Sequence, residues 1–240
     1  MRRHRTLTAV AAAVALLVVS LAGTAAAADD ETWVSQVGTY DYLIAPDYDG
    51  LASVGSVVRG QTLGLGTFDR LDGELVLVGG VPYRIGIDGV PQRASLAGTT
   101  PFLQAIRFAP QASGPIAPGT TCAQLINLVD ELARTEAGVV AVRVRGTFSS
   151  LVTRSVAAQP EPYPDLATAV AGHTVFTLGQ RRAVLVGFRT GADLAGTGAP
   201  GLHLHGLTAD RTAGGHVLSC VAGPDVQLSV QRAAGVKVRR

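Results

Sequence analysis

Short runs of alternating apolar and polar residues recur along the chain and predict mainly β-strands. Residues 71–78 and 81–87 carry this alternation on either side of a Gly-Gly turn, which predicts a β-hairpin. Residues 139–145 and 150–156 are predicted as two further strands separated by a turn or bulge, and residues 182–188 as another strand after a Gly-Gln turn. Strands therefore account for most of the predicted structure.

Helical periodicity is confined to a few places. Apolar side chains recur at helical spacing after Thr121, which is predicted to cap a helix that ends at Gly138. Asp165 is predicted to cap a second, short helix, and the proline-rich connector at 159–164 is the best candidate for an internal boundary. The pattern therefore predicts an α/β chain of the α+β type: two packed halves, each a mixed or antiparallel β-sheet, with few helices.

The first 28 residues have the pattern of a secretory signal peptide. Basic residues at 2, 3 and 5 precede an apolar stretch at 9–21, and small residues end the segment near Ala28. The apolar stretch is shorter than the about 20 residues that a membrane-spanning helix needs. We therefore expect a signal peptide at 1–28, a mature domain at 29–240, no membrane attachment after cleavage, and a secreted or cell-envelope location. An uncleaved N-terminal anchor is the alternative.

Composition and charge narrow the classes of partner. Of the 240 residues, 47% are hydrophobic and 16% charged, which is the composition of a globular protein. The chain is long enough for one large domain or two small, closely packed ones. The net charge of +2 includes three arginines of the leader, and no basic cluster favours a nucleic-acid partner. Cys122 and Cys220 form either one disulfide or two free buried thiols, and neither has the CxxC spacing of a thiolate zinc site.

Three of the five histidines, His203, His205 and His216, lie close together near the C-terminus. On a strand, the two-residue spacing places His203 and His205 on one face. A turn centred between residues 210 and 211 places His216 opposite His205, where Cβ atoms of paired residues are about 4.5–5.5 Å apart. The spacing therefore predicts a three-histidine metal site, and three protein ligands leave zinc an open position for catalysis.

Other interpretations of the histidines remain open at this point. Imidazole nitrogens also suit copper, nickel and iron, so the spacing predicts a metal more firmly than it predicts zinc. The three histidines are alternatively exposed residues of a polar strand. His173 follows a glycine in a predicted turn and is expected to be an ordinary surface residue.

Several sequence motifs resemble the α-acetolactate decarboxylase family. They occur in the family's order at 64–75, 153–156, 161–164, 185–188 and 201–218, so the resemblance covers roughly residues 38–221. It implies an acetolactate decarboxylase-like fold, a zinc ion held by three histidines, and conversion of 2-acetolactate to acetoin and CO2. It also implies a small-molecule 2-hydroxy-3-oxo acid as the substrate, and it suggests a homodimer.

The resemblance also assigns roles to individual residues. His203, His205 and His216 match the zinc ligands, Glu74 and Arg154 match the catalytic glutamate and arginine, and Thr67 matches a threonine that contacts the substrate. Without the resemblance, Glu74 is a solvated strand carboxylate and Thr67 a plain strand residue. Arg154 competes with Arg143 and Arg145, which alternate on the neighbouring predicted strand.

The C-terminal region departs from the family's pattern. The family takes a further active-site glutamate from its C-terminal tail, whereas Asp225 is the only acidic residue after His216 in this sequence. Gly206 also stands where the family has a larger apolar residue. Two other functions are therefore kept as alternatives: another zinc-dependent lyase or hydrolase on the same three histidines, and a metal-retaining protein without catalytic activity.

Overall fold

A computed structural model describes residues 33–239, so the predicted signal peptide at 1–28 lies outside the described residues. The first half of the described chain forms small strands and two short helices. In chain order its elements are β1 (Trp33–Val37), α1 (Tyr40–Ile44), β2 (Ala52–Ser53), α2 (Val54–Val58), β3 (Leu63–Thr67), β4 (Glu74–Val78), β5 (Val81–Ile85), β6 (Pro91–Arg93), β7 (Thr99–Thr100), β8 (Leu103–Ile106) and β9 (Ala112–Pro115).

The second half contains longer strands and the longest helix of the described chain. Its elements are α3 (Cys122–Ala133), β10 (Val139–Ser155), α4 (Leu166–Ala171), β11 (Thr174–Thr177), β12 (Arg181–Thr190), β13 (Gly201–Thr208), β14 (Gly214–Ala222), β15 (Gln227–Arg232) and β16 (Gly235–Arg239). No helix within residues 33–239 is long and apolar enough to cross a membrane.

Two seven-stranded sheets organise these elements. The first has the order β16-β1-β8-β3-β4-β5-β6, and β16 runs parallel to β1 while the other pairs are antiparallel. The second has the order β12-β13-β14-β10-β15-β9, with β11 joined to β10. Because β12 also pairs with β10, the strands β10, β12, β13 and β14 close into a ring. The predicted α+β arrangement of two sheets with few helices is confirmed.

The packing of the two sheets and the helices follows from which face of each strand is apolar. Leu63, Leu65 and Val76 of the first sheet pack against Val186 and Phe188 of the second, and this contact buries the central core. Helix α2 covers the outer face of the first sheet, and α3 covers the outer face of the second. The two sheets therefore lie face to face between two outer helices, and the side chains at their shared interface belong to both halves of the chain.

Strand β10 differs from the prediction. Residues 139–145 and 150–156 were expected as two strands, but one strand of 17 residues runs from Val139 to Ser155. Its first half pairs with β12 and β15, and its second half with β11 and β14. The glycine-containing segment was expected as a turn or bulge, and the strand continues through it, with Gly146 at φ 156. The pairing with β14 shifts register between Phe148 and Ser150 and again between Val152 and Thr153, as at a β-bulge.

The boundaries of α3 and α4 are set by hydrogen bonds and backbone conformation near the helix ends. Thr121 precedes α3 as predicted, and its backbone N–H donates to Gln124 Oε1 over 2.9 Å. The helix ends at Ala133 rather than at Gly138, because Arg134 adopts a left-handed conformation at φ 55. Asp165 caps α4 as predicted, accepting a hydrogen bond of 2.9 Å from the backbone N–H of Thr168.

Cys122 and Cys220 form a disulfide, which selects one of the two states left open by the sequence. The bond joins the start of α3 to β14, and its Cα atoms lie 5.0 Å apart. Cys122 and Cys220 are 98 positions apart in the sequence, so the disulfide links α3 covalently to β14, the strand that carries His216. The disulfide therefore braces the second sheet on the side away from the first.

Candidate metal and active site

The three clustered histidines lie on the face of the second sheet that meets the first. Strands β13 and β14 form a hairpin in which His205 pairs with His216, so the expected cross-strand pairing is confirmed. His203 is two residues from His205 and therefore lies on the same face. Leu204, between them, points into the core under α3. The alternation along β13 thus separates the face that carries the histidines from the face that packs under α3.

The three imidazoles converge on one point. His203 Nε2 lies 3.2 Å from His205 Nε2 and 3.1 Å from His216 Nδ1, and the last two nitrogens are 3.3 Å apart. Metal–nitrogen bonds of about 2.0–2.1 Å at tetrahedral angles separate their donor nitrogens by about 3.3–3.4 Å. The triangle of nitrogens therefore fits three ligands of one tetrahedral ion and leaves a fourth position open. These three residues form a group that could hold a metal ion.

A backbone contact orients one of the rings. His205 Nδ1 lies 2.8 Å from the carbonyl oxygen of Leu75 on β4, so its N–H donates to that oxygen. The lone pair of Nε2 then faces the other two histidines, which is the arrangement that positions metal-ligating imidazoles. The contact also joins the two sheets at the site, because Leu75 belongs to the first sheet and His205 to the second.

Burial keeps the histidines neutral. Burial, followed by the nearby charge of Arg154, lowers the pKa of His203 to about 4. Burial, followed by the charge of His203, holds the pKa values of His205 and His216 well below the usual value. A neutral imidazole offers the lone pair that a metal ion requires, so all three residues are in the ligand form at neutral pH.

Glu74 is the first residue of β4 and faces the histidines. Val76, two residues further on, lies in the core between the sheets, so the period of the strand turns Glu74 towards the same interface. Its Oε2 lies 3.3 Å from His205 Nε2, and only 7% of the residue is exposed. Burial raises the pKa of Glu74 to about 7, partly offset by the charge of Arg154. This carboxyl group can therefore carry or release a proton near neutral pH.

Arg154 approaches the same point from β10, where it pairs with His216. Its Nη1 is buried and has no hydrogen-bond partner among the described residues. An arginine with an unused buried N–H beside three neutral histidines is placed to bind an anionic ligand. Arg143 and Arg145, the competing candidates, lie on the first half of β10 and do not line this cavity.

Thr67 completes the set of predicted residues. It ends β3 directly opposite Glu74 in the β3–β4 pair and is nearly buried. Its hydroxyl group donates to the carbonyl oxygen of Gly73 over 2.7 Å, in the turn that precedes Glu74. The contact fixes the end of the hairpin, and the oxygen of Thr67 remains beside the cavity.

All six predicted residues line one cavity of about 570 Å³. The rest of its wall is apolar and was not identified from the sequence. Most of it comes from α1, α4 and the loop before β13, including Leu43, Ile44, Leu166, Val170 and Pro200. Only the tertiary fold brings these segments to the histidines, so no local spacing pointed to them. The cavity therefore combines a polar floor with an apolar wall.

His173 lies outside the cavity. The sequence predicted an ordinary surface residue at this position, but the side chain is partly buried. Its Nδ1 is buried without a hydrogen-bond partner among residues 33–239. Its backbone N–H donates to the carbonyl oxygen of Val170 and so continues the end of α4.

Comparison with known proteins relates the chain to a family. A family model described as alpha-acetolactate decarboxylase matches residues 34–240. A protein of that name from Methanosarcina mazei is 38% identical over 183 residues, which is 76% of this chain and 64% of the relative. One from Klebsiella aerogenes is 31% identical, over 77% of this chain and 71% of the relative. The chain thus spans just under two thirds of the length of the first relative and somewhat more of the second.

The fold is similar to solved structures of proteins with the same name. The crystal structure of alpha-acetolactate decarboxylase from Bacillus subtilis strain 168 superposes with a TM-score of 0.82 at 28% sequence identity. The superposition covers 86% of this chain and 88% of that one. The similarity therefore extends over both sheets rather than over a single motif.

Proposed function

Because the chain belongs to the alpha-acetolactate decarboxylase family, we propose that it converts 2-acetolactate to acetoin and CO2 with a zinc ion held by three histidines. The observation that carries the proposal is the triangle of His203, His205 and His216 nitrogens, spaced for one tetrahedral ion beside Glu74 and Arg154. Zinc suits three neutral imidazoles with one open position. When bound, it would supply a Lewis acid for a substrate oxygen.

The reaction breaks the bond between the carboxylate carbon and carbon 2 of the substrate. Carbon dioxide leaves, and the electron pair left at carbon 2 passes to the adjacent ketone oxygen to give an enediolate. A proton must then be added to carbon 2 to form acetoin. The protein therefore has two tasks, which are to stabilise negative charge on oxygen and to deliver one proton.

Arg154 serves the first task. Its buried, unpartnered Nη1 borders the cavity, and a guanidinium group offers a fixed positive charge and paired N–H donors to a substrate oxygen. Such a contact strengthens as negative charge develops on that oxygen, so it favours the transition state over the ground state.

Glu74 serves the second task. The pKa raised by burial to about 7 leaves part of its population protonated at neutral pH, so the carboxyl group can donate the proton that carbon 2 needs. Glu74 lies on β4 of the first sheet, and the histidines lie on the second. Donation of the proton from this one side gives a single enantiomer of acetoin.

The apolar wall of the cavity serves the substrate's methyl groups. Leu43, Ile44, Leu166 and Val170 offer hydrocarbon contacts opposite the polar floor. A small 2-hydroxy-3-oxo acid therefore binds with its oxygens towards the histidines and Arg154 and with its methyl groups towards α1 and α4.

A matched pair of histidine variants tests the proposal. We expect purified wild-type protein to release acetoin and CO2 from 2-acetolactate, and His205→Ala to lose the activity together with its bound metal. His173→Ala serves as the control, because His173 lies outside the cavity, and it should remain active. Acetoin formation by His205→Ala at the wild-type rate contradicts the proposal.

We also propose that the protein is exported and works outside the cytoplasm. The leader-like pattern at 1–28 and the Cys122–Cys220 disulfide support this location, because disulfides persist in oxidising compartments. Fractionation of producing cells should find the protein in the medium or envelope, with an N-terminus near residue 29. The homodimer that the family resemblance suggests stays a prediction, which light scattering can check.

A further inference from the structure

A second cleft, of about 610 Å³, lies between the sheets at the other end of the β3–β4 hairpin. Thr67 and Glu74 pair at the active-site end of this hairpin, whereas Leu63 and Val78 pair at the end that borders the second cleft. Four arginines line it, and we call it the arginine cleft: Arg143, Arg145, Arg182 and Arg211. It shares no lining residue with the cavity of the three histidines.

Strand register places three of these arginines on one face of the second sheet. In the antiparallel β10–β12 pair, Arg143 lies opposite Val186 and Arg145 lies opposite Val184. Arg182 is two residues from Val184, so it shares that face and is the diagonal neighbour of Arg145. Diagonal neighbours lie about 7–8 Å apart, within reach of long side chains. Three guanidinium groups are therefore held over one area of the sheet.

The fourth arginine comes from the tip of the β13–β14 hairpin. Arg211 lies in the turn between these strands, and the backbone N–H of Ala209 donates to the carbonyl oxygen of Arg182 over 2.8 Å. This contact fixes the hairpin tip beside β12. Arg211 therefore closes the cleft from the side of the first sheet, where its guanidinium lies 5.1 Å from the centre of the Tyr83 ring.

The positive charge of the cleft is largely uncompensated. No Asp or Glu side chain lines it in the part of the chain that the structure describes. Asp225 approaches Arg182 at 3.5 Å, but both side chains are exposed and Asp225 also accepts a hydrogen bond of 2.7 Å from the backbone N–H of Thr147. Among the described residues, the only one of the four arginines that pairs with a carboxylate is therefore Arg182, at the exposed rim.

Aromatic rings, rather than carboxylates, hold two of the arginines in place. The guanidinium of Arg143 lies 5.1 Å from the centre of the Phe108 ring, in the same way that Arg211 lies over Tyr83. A ring covers the flat face of a guanidinium group and leaves the N–H groups at its edge free to donate. Burial, together with the charge of Arg145, lowers the pKa of Arg143, as expected of crowded cations without a counter-ion.

We propose that the arginine cleft is a binding site for a polyvalent oxyanion of the phosphate class. Guanidinium edges match such oxygens with paired N–H donors. Arg143 and Arg145 hold the anion from the sheet, while Arg182 and Arg211 contact it from the rim. The site is separate from the decarboxylase cavity, so its occupancy does not depend on the proposed reaction.

Calorimetric titration with pyrophosphate and with inorganic phosphate tests the proposal. Sodium chloride at matched ionic strength corrects for general screening of the charges. We expect saturable binding of one anion per chain to the wild-type protein. The double variant Arg143→Gln/Arg145→Gln should weaken it by about a hundredfold or more, because it removes at least two charged hydrogen bonds. Arg182→Gln, at an exposed position, gives a second variant that keeps the fold.

Two control variants separate this site from other positive charge. Arg93→Gln removes an exposed arginine on β6, and Arg154→Lys changes the anion-binding arginine of the three-histidine cavity. Both should bind pyrophosphate as the wild type does. The proposal is overturned if binding is no stronger than the chloride correction, if Arg93→Gln weakens it as much as the cleft variants, or if only Arg154→Lys abolishes it.

Discussion

His205 and His216 face each other across the β13–β14 hairpin, with Nε2 of the first 3.3 Å from Nδ1 of the second. A pair of opposite residues in one hairpin thus forms two corners of the nitrogen triangle. His203 adds the third corner through the two-residue period of β13. The three-histidine half of the site is therefore local, and the groups proposed to act on the substrate come from β4 and β10.

Glu74→Gln should separate metal binding from catalysis. Glutamine has nearly the same shape but no acidic proton, so we expect kcat to fall by about 10²–10⁴-fold. The zinc content should stay at the wild-type value, because Glu74 is not one of the three histidines. Glu131→Gln, at an exposed position on α3, is the matched control. A kcat within about twofold of wild type would show that Glu74 does not carry the proton.

Arg154→Lys keeps the positive charge and removes the paired donors of the guanidinium group. We expect kcat/KM to fall by about ten- to a hundredfold, the worth of one or more charged hydrogen bonds. Arg93→Lys on the exposed strand β6 controls for general effects of the exchange. Steady-state kinetics with 2-acetolactate provide the measurement, and an unchanged kcat/KM for Arg154→Lys contradicts the role given to it.

The metal-free protein should lose stability as the pH falls from about 6.5 to about 4. The pKa of His203 is about 4 in the folded state, and those of His205 and His216 are also depressed, so the unfolded chain takes up these protons first. Glu74 acts in the opposite direction, because its raised pKa of about 7 lets the folded state bind a proton before the unfolded state does. The combined effect of the three histidines on the free energy of unfolding exceeds the opposite effect of the one carboxyl group.

Urea unfolding of chelator-treated protein measures this dependence. We expect a lower midpoint at pH 5 than at pH 7 for the metal-free protein. His203→Gln replaces one of the titrating rings with a neutral amide, so its midpoint should depend less on pH. A midpoint that rises towards pH 5 in the wild type is incompatible with depressed histidine pKa values.

The Cys122–Cys220 disulfide should contribute measurably to stability. It closes a long loop, because its cysteines are 98 positions apart in the sequence, and such a crosslink is worth about 2–5 kcal/mol in the free energy of unfolding. The double variant Cys122→Ala/Cys220→Ala and the reduced wild type should therefore unfold at similar, lower urea concentrations. If neither midpoint differs from that of the oxidised wild type, the crosslink does not constrain the unfolded chain.

The sequence predicts local features of this protein well. The spacing of His203, His205 and His216 was sufficient for the pairing in the hairpin, because register and period are local properties. Thr121 and Asp165 likewise marked the starts of α3 and α4 through the hydrogen bonds that their surroundings require. Glu74, Arg154 and Thr67 came from the family resemblance, since no spacing connects them to the histidines.

The features that the sequence did not predict depend on tertiary contacts. Strand β10 continues through Gly146 because neighbouring strands on both sides supply partners for its backbone. Helix α3 ends early through a left-handed Arg134, whereas the sequence preference for this conformation pointed to Gly138. The apolar wall from α1 and α4 depends on how the two sheets pack, which no short segment determines.

Zinc reconstitution tests the central claim most directly. Metal-free protein is titrated with zinc, and acetoin formation from 2-acetolactate is measured at each ratio of metal to chain. We predict no activity without metal, a linear rise, and a break at one zinc per chain, because His203, His205 and His216 form a single group that could hold one ion. Acetoin formation by fully metal-free protein, or activity unrelated to the zinc bound, would contradict the account.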